Sequence, residues 1–408
     1  MRVVVNQLAA TGRKTGIGHY TLQLLRCLVA QAGEDMVDTF PRTWMKRLPE
    51  VLSLLRLRVD PGEAATPSRP NRKPRLAPVR RRTLHLLRQV NRLIWTQYFR
   101  DTCKQRSYDV YHEPNFIPFP SDRPTVATVH DLSVLLHPEW HPADRVAHFA
   151  RHFRRGVARC CHFFAISEFG RQEIIRHLNI PPERVTRTYM GVRPGLRLLP
   201  AGEVAATLRD LKLPPRYLLC LGTIEPRKNV RLLLRAYCRL PAALRERWPL
   251  LLVGGWGWNS GDVAAYLHDT ARHRGVIHVG YLPEQHMAAV YNGARALLYP
   301  SLYEGFGMPP IEMMACGGAV LASTAGALVE TVGGRAHLIS PHDEEGWREA
   351  MRRVIVDADW WQSLRHGGAA LAQSFTWERC AADTWRVYRA VAAGRIPETS
   401  TPHPPLAA

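Results

Sequence analysis

The second half of the chain carries a rhythm that restricts its fold more than any other feature. Five short apolar runs, "RYLLCLGT", "PLLLVGG", "VIHVGYL", "ALLYPS" and "AVLAST", are each followed by a turn signal and a helix-like segment. They are apolar at consecutive rather than alternate positions, as strands are when helices cover both faces of a parallel sheet. The first half repeats the pattern in "RVVVNQ", "YDVYHE", "TVATVH" and "HFFAIS". Gly16 to Gly33 reads as a helix, and Ser167 as the N-cap of a helix running to about His177. Strands alternating with helices predict an α/β protein of two doubly wound sheets with a cleft between them. In such sheets ligands gather at the carboxyl ends of the strands. Prolines and glycines between 191 and 215 mark the boundary between a unit over 1–195 and another over 196–375. A last amphipathic helix follows over 376–394, and 395–408 reads as a disordered tail.

A chain of 408 residues suits two domains, and 46% apolar against 22% charged residues suits globular ones. No apolar run reaches the roughly 18–20 residues of a membrane span, and the start lacks the features of a signal peptide. The expected location is therefore the cytoplasm. Eight cysteines without a C-x-x-C spacing make no disulfide framework. Cys160, Cys161 and His162, with His148 and His152 nearby in sequence, read as helix-face and strand residues ahead of a metal cluster.

The formal charge of +20 is unevenly spread. From Ala64 to Arg100 there is no acid, and basic residues crowd 69–100. The stretch "TLHLLRQVNRLIWTQYF" sets Leu86, Leu87, Val90, Leu93, Ile94 and Tyr98 on one helical face and Arg88 and Arg92 on the other. It reads either as a domain helix with a solvated face or as a segment resting on anionic lipid headgroups.

Candidate chemistry lies after the strands. Arg227 and Lys228 follow "YLLCLGT", whose Gly222 ends the run, and precede a helix, a suitable place for a diphosphate. After "ALLYPS", Gly305 and Gly307 flank Phe306 in a tight turn, and Pro309 and Pro310 start a helix. Glu304 and Glu312 bracket that turn, and ionised carboxylates accept hydrogen bonds from sugar hydroxyls. Glu304 reads equally as a strand end, and Glu312 as a first-turn acid favoured by the helix dipole. From the first half, Gly16 and Gly18 follow the first strand, and His130 and Asp131 end another. The "DAD" at Asp357–Asp359 spells a D-x-D metal motif but falls where one helix ends and the next begins. The "GGWGW" at 254–258 is an aromatic loop, able to stack on an acceptor sugar or simply to pack.

Taken together, "LGTIEPRKN", "LYPSLYEGFGMPPIEMMACG", "TVHDLS" and "FAISEFGRQEI" resemble the retaining GT-B glycosyltransferases of the GT4 family. The resemblance is strongest from Tyr217 to Asp343 and weakest over 35–105. It implies an acceptor-side first domain, a nucleotide-sugar-binding second domain and a final helix crossing back onto the first. Arg227 and Lys228 would bind the donor diphosphate, Glu304 the donor sugar and Glu312 the nucleotide ribose. His130, beside Asp131, would face the sugar near the reacting carbon. Backbone at Gly16–Gly18 and Gly305–Gly307 would lie against phosphate and sugar. The resemblance implies no metal and no cofactor beyond the nucleotide-sugar substrate.

The leading expectation is transfer of mannose from GDP-mannose to a glycan or lipid-linked acceptor in bacterial surface polysaccharide or O-antigen synthesis. It includes peripheral contact with the inner face of the cytoplasmic membrane through 69–100, and no nucleic-acid partner. The alternatives are a nucleotide-sugar epimerase of the same fold, or a basic lipid- or nucleic-acid-binding protein on a degenerate transferase scaffold. That last reading explains the charge but not why Arg227, Lys228, Glu304 and Glu312 cluster at strand ends.

Overall fold

The computed structural model describes residues 1–11, 16–41 and 93–397. Two six-stranded sheets form the frame, and every strand pair is parallel. The first contains β1 (Arg2–Asn6), β2 (Met36–Phe40), β3 (Val110–Glu113), β4 (Thr125–Val129), β5 (Cys160–Ala165) and β6 (Val185–Arg187), in the order β2-β1-β3-β4-β5-β6. The second contains β7 (Tyr217–Leu221), β8 (Leu250–Val253), β9 (Val276–Gly280), β10 (Ala294–Tyr299), β11 (Ala319–Ser323) and β12 (His337–Ile339), in the order β12-β11-β10-β7-β8-β9.

Strand order decides where a ligand can sit. In the second sheet the chain moves outward from β7 through β8 to β9, then returns to pair β10 on the other side of β7. Loops leaving β7 and β10 therefore stand at the reversal of strand order, where open α/β sheets take their ligands at the carboxyl ends of the strands. Those loops carry Arg227, Lys228 and Glu304. The first sheet reverses between β1 and β3 in the same way, and the start of the helix Gly16–Ala30 and the β3 and β4 ends belong to that side of the sheet.

Central strands are buried throughout, as their continuous apolar runs require. The strands without a clear sequence signal are at or near edges. Both β2 ("MVDTF") and β12 ("HLI") are edge strands of mixed polarity, and β6 spans three residues. Inside the broken-looking segment 191–215 lies a helix, Ala201–Asp210. Its Leu208 is buried against Gly293 and belongs to the same core cluster as Tyr217 of β7.

The face expected for the basic stretch is corrected where the structure describes it. Leu93 and Ile94 are 68% and 53% exposed, whereas Trp95 and Phe99, four residues apart, are buried. These two aromatics pack with Phe40, Tyr111 and Phe119 in a compact cluster. The helix turns by about 100° per residue, so its bulky aromatics, which bury the most area, set the buried face. Leu86, Leu87, Arg88, Val90 and Arg92 lie outside the described residues, as do 398–408 of the tail. Among the described residues no helix is long and apolar enough to cross a membrane.

The final helix, Trp377–Ala392, is N-capped by Thr376, whose hydroxyl accepts from the Arg379 amide. It crosses back onto the first sheet's layer. Trp385 Nε1 donates to Leu28 O at 3.2 Å on the helix Gly16–Ala30, and Tyr388 Oη lies 2.5 Å from His112 Nδ1. Burial holds the His112 imidazole down at about 3, so it is neutral in this contact. Trp385→Ala should cost about 3–5 kcal/mol in chemical denaturation, the range for emptying a buried aromatic site. A loss under about 1 kcal/mol would mean that this helix contributes little to holding the halves together.

Candidate active site

The diphosphate candidates sit on a short, rigid turn. A 3-10 turn over Pro226–Lys228 is closed by Asn229 in the left-handed conformation, φ +53°. Asn229 Nδ2 donates to Pro300 O and Pro341 O, and the Leu302 amide donates to Arg227 O at 2.8 Å. The turn after β7 is thereby fastened to the loop after β10.

Across this junction runs a continuous charge network. Lys228 Nζ donates to Glu304 Oε1 at 2.5 Å and to the Tyr299 hydroxyl at 2.7 Å. Arg227 Nη1 donates to Glu304 Oε2 at 3.1 Å and to Tyr303 O at 3.2 Å. Its Nη2 reaches Glu225 at 3.1 Å, and Asp131 Oδ2 lies 3.9 Å from Nη1. Burial alone would raise the Glu304 carboxyl, but Lys228 and Arg227 hold it down at about 2. Asp131 is likewise below its ordinary value, because Arg227 and the Ser133 hydroxyl and amide outweigh its burial. Each Glu304 oxygen has two lone pairs and spends one on a cation, so each retains capacity for a hydroxyl.

Glycines let the two halves meet here. A Cβ on Gly305 would lie 1.9 Å from His130 O and 3.1 Å from Asp131 Cβ. Gly307 takes φ +92°, as Gly222 takes +141°, with the Lys228 stem lying over Gly222. Phe306 turns inward and is buried near Tyr189 and Phe375. His130 lies beneath the turn, with Nε2 2.8 Å from Pro114 O and its ring against Tyr20. Burial pulls its imidazole down to about 4, so it is neutral, donates from Nε2 and keeps Nδ1 as an acceptor. Tyr20 belongs to the helix that begins at Gly16 and includes Gly18, which brings that helix start to the same cleft. The neighbouring His19 Nδ1 lies 3.9 Å from Glu284 of the second half.

Glu312 is engaged separately. It sits in the helix Met308–Ala315, and both its oxygens accept from Arg193, Nη2 at 2.7 Å. The Tyr291 hydroxyl donates to Oε2 at 2.7 Å. The structure thus joins Arg227, Lys228, Glu304 and Asp131, with Gly222, His130 and Gly305 around them, and gives Glu312 its own cation.

The decoys resolve structurally. Asp357 caps the helix Ala358–Arg365 by accepting from the Trp360 amide at 2.8 Å. His148 and His152 lie along the helix Ala143–Val157, while Cys160 and Cys161 begin β5. Among the described residues no group of three His, Cys, Asp or Glu side chains is arranged to hold a metal ion. In the 254–258 loop Trp256 lies against the His278 ring, and Trp258 Nε1 donates to Trp140 O at 2.8 Å, which ties this loop to the first half.

Several site residues carry little sequence signal. Tyr299 hides in the apolar run of β10, and Glu225 reads as a loop acid. Tyr303 gives its hydroxyl to Glu173 and accepts from the Leu132 amide, tying the Glu304 loop to the first half. Burial, with help from Asp131, pushes the Glu173 carboxyl up from 4.5 to about 7. Between those values the folded protein holds a proton that the unfolded chain releases, so stability falls as pH rises from 4.5 through 7. Glu173→Gln should flatten that part of the pH dependence of Tm. An unchanged slope in the variant would show that Glu173 does not titrate there.

Paired cations beside a carboxylate, at the strand-order reversal of one of two parallel sheets, suit a ligand that carries both phosphates and hydroxyls. A "Glycosyltransferase Family 4" model matches residues 15–196, and a "Glycosyl transferases group 1" model matches 209–367. The O-antigen chain mannosyltransferase B of Escherichia coli is 32% identical over 380 residues, 92% of this chain and 96% of that one. Among solved structures, sucrose-phosphate synthase from Thermosynechococcus elongatus superposes with a TM-score of 0.70 at 19% identity, covering 96% of this chain and 99% of that one. Anabaena Alr3699/HepE in complex with UDP-glucose gives 0.67 at 17% identity, covering 94% and 99%. The chain belongs to the group 1, family 4 glycosyltransferases, and its fold is GT-B.

Proposed function

We propose that this glycosyltransferase moves mannose from GDP-mannose, with retention of configuration, to a glycan or lipid-linked acceptor of O-antigen assembly. The observation that carries the reading is the Lys228–Glu304–Arg227 network at the strand-order reversal. Support for the sugar comes from the name of the Escherichia coli mannosyltransferase, which is similar over nearly its whole length.

In this reading the bond from the anomeric carbon to the diphosphate breaks, and the acceptor oxygen bonds to the same face. The acceptor's proton leaves with the nucleotide diphosphate. Arg227 and Lys228 bind the diphosphate and stabilise its growing charge in a site shielded from water. Glu304 keeps its cations and accepts from hydroxyls of the donor sugar with its remaining lone pairs. His130 Nδ1 accepts from a further hydroxyl, and Glu312 serves the ribose by sharing its carboxylate with Arg193. Backbone at Gly222, Gly305–Gly307 and Gly16–Gly18 lies close to phosphate and sugar. Because side-chain cations carry the phosphate charge, no metal or additional cofactor is required.

The test is a panel of nucleotide sugars assayed for diphosphate release with and without EDTA. GDP-mannose should turn over fastest, at a rate EDTA leaves unchanged. Turnover of none of them, or its loss with EDTA, would contradict the reading. Attachment to the inner face of the cytoplasmic membrane through 69–100 belongs to the same proposal, although 69–92 lie outside the described residues. Binding to anionic liposomes should weaken with salt and drop when Arg80–Arg82 are replaced; equal binding by that variant would exclude this attachment.

A further inference from the structure

Beside the charge network lies a second group of side chains to which the proposed reaction gives no role. His137 and Trp140 stack with ring centroids 3.9 Å apart and planes 11° from parallel. Trp140 is half-buried, and the His137 side chain is 37% exposed. Glu139 between them is 63% exposed, 3.5 Å from His137 Nδ1. Tyr303, the neighbour of Glu304, lies edge-on to His137 at 5.7 Å and 6.5 Å from Trp140.

A polar chain connects this pair to the charge network. His141, next in sequence to Trp140, is buried, and its Nε2 lies 3.1 Å from Ser133 Oγ. Ser133 Oγ donates to Asp131 Oδ1 at 2.7 Å, and the other Asp131 oxygen faces Arg227. Since Ser133 spends its proton on Asp131, His141 must donate from Nε2, which leaves Nδ1 a bare acceptor. That Nδ1 is buried without a hydrogen-bond partner among the described residues. The second half completes the group: Trp258 donates to Trp140 O, stands 6.0 Å from the His141 ring and is covered by the Arg145 guanidinium at 4.9 Å.

We infer that the Trp140–His137 pair, with Glu139 and Trp258, seats the terminal pyranose of the acceptor glycan. This rests on the glycosyl-transfer reading above. A pyranose offers a flat C–H face and a rim of hydroxyls, which suits aromatic rings edged by a carboxylate and by imidazole nitrogens. Through Tyr303, which precedes Glu304, and through the His141–Ser133–Asp131 chain, the seat is connected to the charge network that binds the donor in that reading. Because Trp140 and Trp258 come from different halves, the seat is complete only when the halves meet.

The probe is α-mannobiose, titrated into the full-length protein without donor and followed by tryptophan fluorescence and saturation-transfer NMR. Saturable binding, weakened about tenfold or more by Trp140→Ala and largely recovered by Trp140→Phe, is the expected result. In transfer assays Trp140→Ala should raise the acceptor KM by a similar factor and leave the donor KM within about twofold. Absence of mannobiose binding to the wild type, or equal binding by Trp140→Ala with an unchanged Tm, would overturn the seat. If Trp140→Ala does not fold, Glu139→Gln decides: weaker binding supports the seat and unchanged binding overturns it. Mannobiose binding without any nucleotide-sugar turnover would instead count against the proposed reaction and leave the seat standing.

Discussion

Lys228→Ala should lower kcat by about 10²–10³-fold, the usual loss when one preorganised donor to a developing anion is removed. Lys228 Nζ is fixed by Glu304 at 2.5 Å and Tyr299 at 2.7 Å, so its charge is already in position before a phosphate arrives. The substitution also leaves the buried Glu304 with one cation instead of two. Breaking a buried pair outright costs about 3–5 kcal/mol, and the Arg227 contact at 3.1 Å should hold the loss below that range. The two effects separate in the double variant. Adding Glu304→Gln to Lys228→Ala removes the negative charge that the lysine had helped to balance and should recover much of the Tm, while activity stays low. Full activity in Lys228→Ala, or recovery of both properties together in the double variant, would show that the lysine is structural only.

Gly305→Ala should abolish most turnover, by about 10²-fold or more, while each sheet stays folded. The added methyl would stand 1.9 Å from His130 O, far inside contact distance. The atom it meets is backbone and cannot swing aside as a side chain can. Relief requires the Glu304 loop to draw back from the His130–Asp131 loop, which separates the carboxylate from the first half. Gly202→Ala is the control, since no atom lies within 4 Å of its added Cβ. Within its helix, Ala should be about 0.5–1 kcal/mol better than Gly. Circular dichroism and kcat on both variants read the contrast. Gly305→Ala activity equal to that of Gly202→Ala would mean that the close approach has no role in turnover.

How legible these features were depended on how local their signals are. Arg227, Lys228 and Glu304 stand directly after buried apolar runs, so strand periodicity alone put them at carboxyl ends. Asp131 and His130 shared that advantage. Arg193 did not: its partner Glu312 is 119 residues away, and it sits in a Pro- and Gly-rich stretch that reads as a linker. The same stretch concealed the helix Ala201–Asp210, whose propensity is ordinary and whose burial rests on Leu208. Tyr299 looked like one more apolar strand residue, and only the fold reveals that its hydroxyl faces Lys228. The basic helix misled because it is apolar on more than one side, and the partners of Trp95 and Phe99 come from β2 and β3. Trp140 and His141 gave no signal, because their meaning depends on Asp131, Tyr303 and Trp258 meeting across the cleft.

The most direct measurement follows the anomeric carbon itself. GDP-mannose labelled with ¹³C at C1 is incubated with the protein and a mannose-terminated acceptor, and the one-bond ¹³C–¹H coupling of the product is read by NMR. An α-mannoside forming in step with free GDP is the predicted result. A β-mannoside, or no GDP release from any nucleotide sugar under conditions where the protein is folded, would contradict the account.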